Sequence, residues 1–216
     1  MRASRLTARF DSYAETLLIR HGHVEGISPE RFRGRMDVPL TVQGQSQARA
    51  VATYVAQYWQ PAIVYTSPLQ RCVVTGRLIA AACAVSAVEL AELNDIDYGE
   101  WQWLTRTEVR ERWPALLDRW QSVPQMMRFP QGESLQELVS RIADAMRMIR
   151  ERHASDSVVL VGHDSGIRAL LMQLLDQPLS AYWRLSPQPC AVSEADIWEM
   201  GARVLRINDA QHLIGK

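Results

Sequence analysis

Short apolar runs rich in β-branched residues alternate along this chain with longer segments whose apolar positions recur at helical spacing. Thr16-Leu17-Leu18-Ile19 is too short and too continuously apolar for an amphipathic helix and predicts a buried first strand. Residues 41–58 place Ala48, Val51, Ala52 and Val55 on one face and predict a helix. Ala62-Ile63-Val64-Tyr65 predicts the second strand, and Ser67-Pro68 is expected to open a helix with the serine as its cap. A short strand is expected at 85–90. Ser134-Leu135-Gln136-Glu137 forms a capping box for a helix running to about 153. Residues 157–161 predict another buried strand, 165–175 a helix, and 191–198 with 203–207 two final strands.

This alternation predicts an α/β fold: a three-layer sandwich with a mostly parallel central sheet and helices on both faces. Between 94 and 132 the pattern turns irregular and rich in tryptophan, with Trp101, Trp103, Trp113 and Trp120. That stretch is expected to be an insertion lying over the active site. No internal repeat interrupts the chain, so residues 16–216 are expected to form one domain behind an N-terminal tail over 1–15.

Composition narrows the picture. The 216 residues are 47% hydrophobic and 22% charged, with 24 acidic and 24 basic side chains. A balanced charge gives no electrostatic reason to bind nucleic acid or a membrane surface, and no apolar run is long enough to span a bilayer. The three cysteines, Cys72, Cys83 and Cys190, are odd in number and widely spaced. They suggest neither a disulfide framework nor a zinc knuckle, and buried thiols in a reducing, cytoplasmic setting are expected.

The chemistry gathers at the carboxyl ends of the three clearest strands. Arg20-His21-Gly22-His23, Ser67 through Arg71, and His163-Asp164-Ser165 stand there, where open α/β sheets bind ligands. Each residue alone has a plain structural reading: a strand-end histidine, a solvated arginine, a helix cap. Delivered together, Arg20, Arg71, His21 and His163 suit a phosphate group, because forked guanidinium donors grip its oxygens and a neutral imidazole can attack phosphorus.

Leu18-Ile19-Arg20-His21-Gly22 resembles the Arg-His-Gly signature of the histidine phosphatase superfamily, which includes the phosphoglycerate mutases. The likeness continues through Phe32-Arg33-Gly34-Arg35-Met36-Asp37-Val38-Pro39-Leu40-Thr41 and Tyr65-Thr66-Ser67-Pro68-Leu69-Gln70-Arg71. Leu93 through Trp101 and Val161-Gly162-His163 extend it further. Five ordered motifs make the match specific. It implies a phosphoglycerate mutase-like fold, no cofactor, no metal, and a phosphoryl group carried on His21. Arg20, Arg71 and His163 would form the phosphate pocket, and Gly22 and His23 would border the substrate. The family's general acid falls at position 95, where this chain has Asp95 rather than the usual glutamate. Asp164 is the rival donor, because a distant branch of the superfamily uses the aspartate after its second histidine. Asp95 is preferred on motif position.

The resemblance favours hydrolysis of a small phosphate monoester over mutase transfer. Ile27 stands where mutases carry an asparagine, and Gly99-Glu100-Trp101-Gln102-Trp103 replaces their lysine-bearing stretch. Pro130-Gln131-Gly132-Glu133-Ser134 is similar to the phosphatase branch. Two readings from other classes stay open: a metal-dependent hydrolase using His21, His23 and His163, and a non-catalytic phospho-ligand binding module. A late edge strand offers a route to a homodimer.

Overall fold

In the computed structural model, which describes residues 13–214, the strands divide their side chains between two cores. β1 (Ala14–Arg20), β2 (Ile63–Thr66) and β4 (Ser157–Gly162) lie at the centre of a six-stranded sheet of order β3-β2-β4-β1-β5-β6. Successive side chains of a strand point to opposite faces. Leu17, Ile19, Val64, Val159 and Val161 therefore pack into one core, and Leu18, Tyr65, Val158 and Leu160 into the other. The sheet is mostly parallel: β3 (Ser86–Glu89), β2, β4 and β1 run in one direction. The hairpin of β5 (Val192–Trp198) and β6 (Gly201–Asp209) adds two antiparallel pairings and leaves β6 at an edge.

Parallel pairs need crossover connections, and these bring helices to both faces. α1 (Val42–Tyr58) and α2 (Gln70–Cys83) supply Ala48, Val51, Val55, Cys72 and Ile79 to the first core. α5 (Leu135–Arg152) and α6 (Asp164–Leu174) supply Leu138, Ile142, Ile167 and Leu170 to the second. The helix starts follow local chemistry. Thr41 Oγ1 accepts the Gly44 amide at 3.1 Å, and Ser134 with Glu137 closes the expected capping box, each such cap contributing about 1 kcal/mol.

Ser67 behaves differently from its expected role as a cap. α2 begins only at Gln70, after Leu69. The Ser67 hydroxyl accepts the Leu69 amide at 3.3 Å just before the helix, and it also meets Asn94 at 3.2 Å and His163 at 2.8 Å in the crevice. Asp37 takes over at the helix start, accepting the Gln70 amide at 2.8 Å.

Residues 94–132 hold 3-10 turns and two short helices, α3 (Arg106–Arg112) and α4 (Pro114–Ser122). They bury Trp101, Val109, Leu117, Trp120, Met127 and Phe129 in the same core as α5 and α6. β1 already starts at Ala14, two residues before the expected strand, and residues 1–12 of the expected tail lie outside the described residues. Cys72 and Cys190 are buried and Cys83 is half-buried, all as free thiols. Among the described residues no helix is long and apolar enough to cross a membrane.

Candidate active site

Strand register assembles the site. Arg20 pairs with Gly162 across β1 and β4, and Thr66 pairs with Val161 across β2 and β4. The ladder runs one step further, with the His21 amide donating to Gly162 at 3.0 Å and the Ser67 amide to Val161 at 3.1 Å. His21, Ser67 and His163 are thus the first residues beyond three adjacent parallel strands. α2 and α6 also begin at this edge, so their positive dipole ends face an anion held there.

The ring centroids of His21 and His163 lie 5.3 Å apart, and both residues are 1% exposed. Chain geometry forces His21 inward. A side chain on Gly22 would meet the Gly44 carbonyl oxygen at 2.4 Å, so the exit of β1 can press against the first turn of α1 only through a glycine. His21 Nδ1 lies 2.7 Å from its neighbour's carbonyl oxygen. A carbonyl can only accept, so Nδ1 carries the proton and Nε2 keeps its lone pair. Burial depresses the His21 pKa well below the ordinary histidine value, and the charges of Arg71 and Arg20 push the same way. His163 is depressed in turn, first by burial and then by Arg71 and Arg20. Both imidazoles are neutral at neutral pH.

Arg71 is fully buried and held on all sides. Its Nη1 donates to Met36 O at 2.6 Å, Nη2 to Gly34 O at 2.7 Å, and Nε to His163 Nδ1 at 3.3 Å. The loop after residue 32 turns its carbonyls onto this guanidinium, helped by Gly34 at φ +49. Arg20 is less engaged. Its Nη1 donates to Pro187 O at 2.8 Å, while Nε is buried with no hydrogen-bond partner among the described residues.

Asp95 joins the cluster. Its Oδ2 lies 3.3 Å from Arg71 Nη2 and 3.6 Å from His163 Nδ1, and its Oδ1 accepts from Ser165 Oγ at 2.5 Å and the Ile96 amide at 2.9 Å. Asp164 stands at the other side, accepting from Arg168 Nε at 2.8 Å and lying 3.6 Å from Arg20 Nη1. Arg168 donates as well to the carbonyls of Tyr182 and Leu185. His23 faces elsewhere: its Nδ1 meets Thr41 Oγ1 at 3.0 Å, at the start of α1. Among the described residues no three His, Cys, Asp or Glu side chains are grouped to hold a metal ion.

Residues without an assigned role in the sequence complete the site. Arg141 Nη1 donates to Glu92 O at 2.6 Å and Asn94 O at 2.9 Å, and its Nη2 to Asp95 O at 3.3 Å. Glu133 grips the same guanidinium with both oxygens at 2.9 Å. The Pro130 to Ser134 motif was the available signal for Glu133; nothing in the sequence singled out Arg141. A cleft opens from His21 between Phe32, Tyr98, Trp120, Tyr182 and Trp183, with Arg31, Arg33, Arg106 and Arg168 among its walls. Trp101 is fully buried and serves as a packing anchor rather than a cleft wall.

A family model described as histidine phosphatase superfamily (branch 1) matches residues 16–210. Phosphoserine phosphatase 1 of Hydrogenobacter thermophilus is 29% identical, covering 91% of this chain and 93% of its own. The probable phosphoglycerate mutase GpmB of Escherichia coli O1:K1 is 31% identical over 86% of each chain. Among solved structures, Bacillus stearothermophilus YhfR superposes with a TM-score of 0.87 at 23% identity, covering 93% of this chain and 99% of its own.

Proposed function

The chain belongs to the histidine phosphatase superfamily, and we propose that it hydrolyses a small phosphate monoester through a phosphohistidine on His21. One observation carries the reading: His21, with its Nδ1 turned to the Gly22 carbonyl and its Nε2 lone pair free, is buried together with Arg20 at the end of β1 and Arg71 in the first turn of α2.

The substrate's phosphoryl oxygens take the open donors of Arg20 and the charge of Arg71. His21 Nε2 attacks phosphorus in line, and the P–O bond to the organic group breaks as a P–N bond forms. Asp95 gives its proton to the departing oxygen, then accepts one from the water that attacks phosphohistidine. The P–N bond breaks and inorganic phosphate leaves. His163, whose Nδ1 accepts from Arg71, holds that guanidinium in place.

Asp95 suits the donor's role better than Asp164. Asp95 stands at the phosphate pocket itself, 3.3 Å from Arg71 Nη2 and 3.6 Å from His163 Nδ1. Asp164 keeps Arg168, which the carbonyls of Tyr182 and Leu185 fix in place. The names of the relatives support a phosphate ester of a small molecule as substrate. The aromatic and acidic stretch 99–103 supports water, rather than a second substrate hydroxyl, as the acceptor.

Turnover of p-nitrophenyl phosphate in excess chelator tests the proposal. Full activity with inhibition by micromolar vanadate is expected. Activity lost in chelator and restored by zinc or manganese would contradict it, as would tight phosphate binding with no turnover at all.

A further inference from the structure

The cations lining the cleft are not equivalent. Arg31 lies 3.7 Å from Glu108, Arg106 lies 2.9 Å from Glu30, and Arg168 lies 2.8 Å from Asp164. Arg33 lines the same cleft with no carboxylate in ion-pair range among the described residues. Its Nη1 is fixed by the carbonyls of Gly26 and Arg31. That anchoring sets the plane of the guanidinium, and no hydrogen bond among the described residues engages its opposite edge, Nε and Nη2. Nε is buried and has no hydrogen-bond partner among the described residues. A buried charged donor without an acceptor is costly to keep, and an anchored guanidinium edge matches two oxygens of one anionic group. Arg33 is also close enough for its charge to act on Arg20 and His163.

We propose that Arg33 determines specificity by binding a second anionic group, a carboxylate or a second phosphate, on the organic half of the substrate. The proposal rests on the phosphatase reading. The phosphoryl group sits at His21, the Arg33 fork receives the second anion across the cleft, and Phe32, Tyr98 and Trp120 flank the carbon chain between them.

Two substrate pairs test it. O-phosphoserine and O-phosphoethanolamine differ by one carboxylate; propane-1,3-diol bisphosphate and its monophosphate differ by one phosphate. The wild-type protein is expected to favour the doubly anionic member of one pair by about tenfold or more in kcat/KM, as a charge-assisted fork allows. The pair that shows the preference identifies the anion. Arg33→Gln is expected to bring that ratio near one by lowering kcat/KM for the doubly anionic member more than for its partner, and Arg33→Lys to retain part of the preference. A wild-type ratio near one for both pairs would overturn the proposal without needing any variant to fold. So would an Arg33→Gln protein with an unchanged melting temperature that lost all substrates equally. If the wild-type protein fails to turn over p-nitrophenyl phosphate at all, the phosphatase reading falls and takes this proposal with it.

Discussion

His21 is set up by three residue-level facts: its proton sits on Nδ1 toward Gly22, its ring is buried, and arginines flank it. The hydrogen bond to Gly22 fixes the tautomer, while burial and the arginine charges outweigh its opposing pull and keep Nε2 unprotonated, as the proposed nucleophile requires. The acid limb of kcat/KM attributable to His21 is therefore expected well below the ordinary histidine value of 6.5. A one-proton fall centred near 6.5 that vanished with an alternative nucleophile would speak against this. Asp95 and Asp164 are separable by leaving group. Asp95→Asn is expected to cost about 10²- to 10⁴-fold with an alkyl phosphate. The cost should be much smaller with p-nitrophenyl phosphate, whose departing oxygen needs no proton. Asp164→Asn, which frees Arg168 and Arg20, should slow both substrates alike. The reverse pattern in steady-state kinetics would hand the donor's role to Asp164.

Between elements, two contacts hold the site together. The exit of β1 crosses the start of α1 so closely that a Cβ on Gly44 would lie 2.0 Å from the His23 carbonyl oxygen. Gly44→Ala must move backbone and is expected to lower the melting temperature by several degrees and to displace His21. A wild-type melt with full activity would contradict the crossing. The acid-bearing loop is tied to α5 by Arg141, which donates to the carbonyls of Glu92, Asn94 and Asp95 while Glu133 holds its other side. Arg141→Ala should leave α5 folded and reduce kcat about 100-fold, because a misplacement of about 1 Å can cost that much. The motif around Glu133 was legible in the sequence, but its partner was not. Arg141 lies on a helix face where arginines are usually solvated, and only the approach of residues 92–95 gives it three acceptors. Ser67 is a similar case: its hydroxyl accepts the Leu69 amide before α2, as its sequence neighbours suggest, but its contacts with His163 and Asn94 arise only from tertiary packing.

Across the whole molecule, the sheet does most of the positioning. The alternation of Leu17, Leu18 and Ile19 between two cores was readable from hydrophobicity alone, and so was the order of strands and helices. The parallel register that sets Arg20, Ser67 and His163 at one edge followed from that order. The cleft walls were less readable, because Trp120, Tyr182 and Trp183 come from separate segments that meet only after packing. The same burial that prepares the site has a stability consequence. His21 and His163 have depressed folded-state values, so below the unfolded value near 6.5 the unfolded chain binds protons that the folded chain refuses. Stability is then lost as pH falls through that range, by up to about 1.4 kcal/mol per pH unit for each histidine. His21→Asn should flatten the dependence of melting temperature on pH between 6.5 and 5, and an unchanged slope would count against a buried neutral ring. The central claim concerns a covalent bond, and rapid quenching with ³²P-labelled substrate during turnover reads it directly. Label is expected on the chain in a form stable to base and labile to acid, mapped to the peptide containing residue 21 and absent from His21→Ala. Turnover at full rate with no protein-bound label, or with label on another residue, would contradict the account.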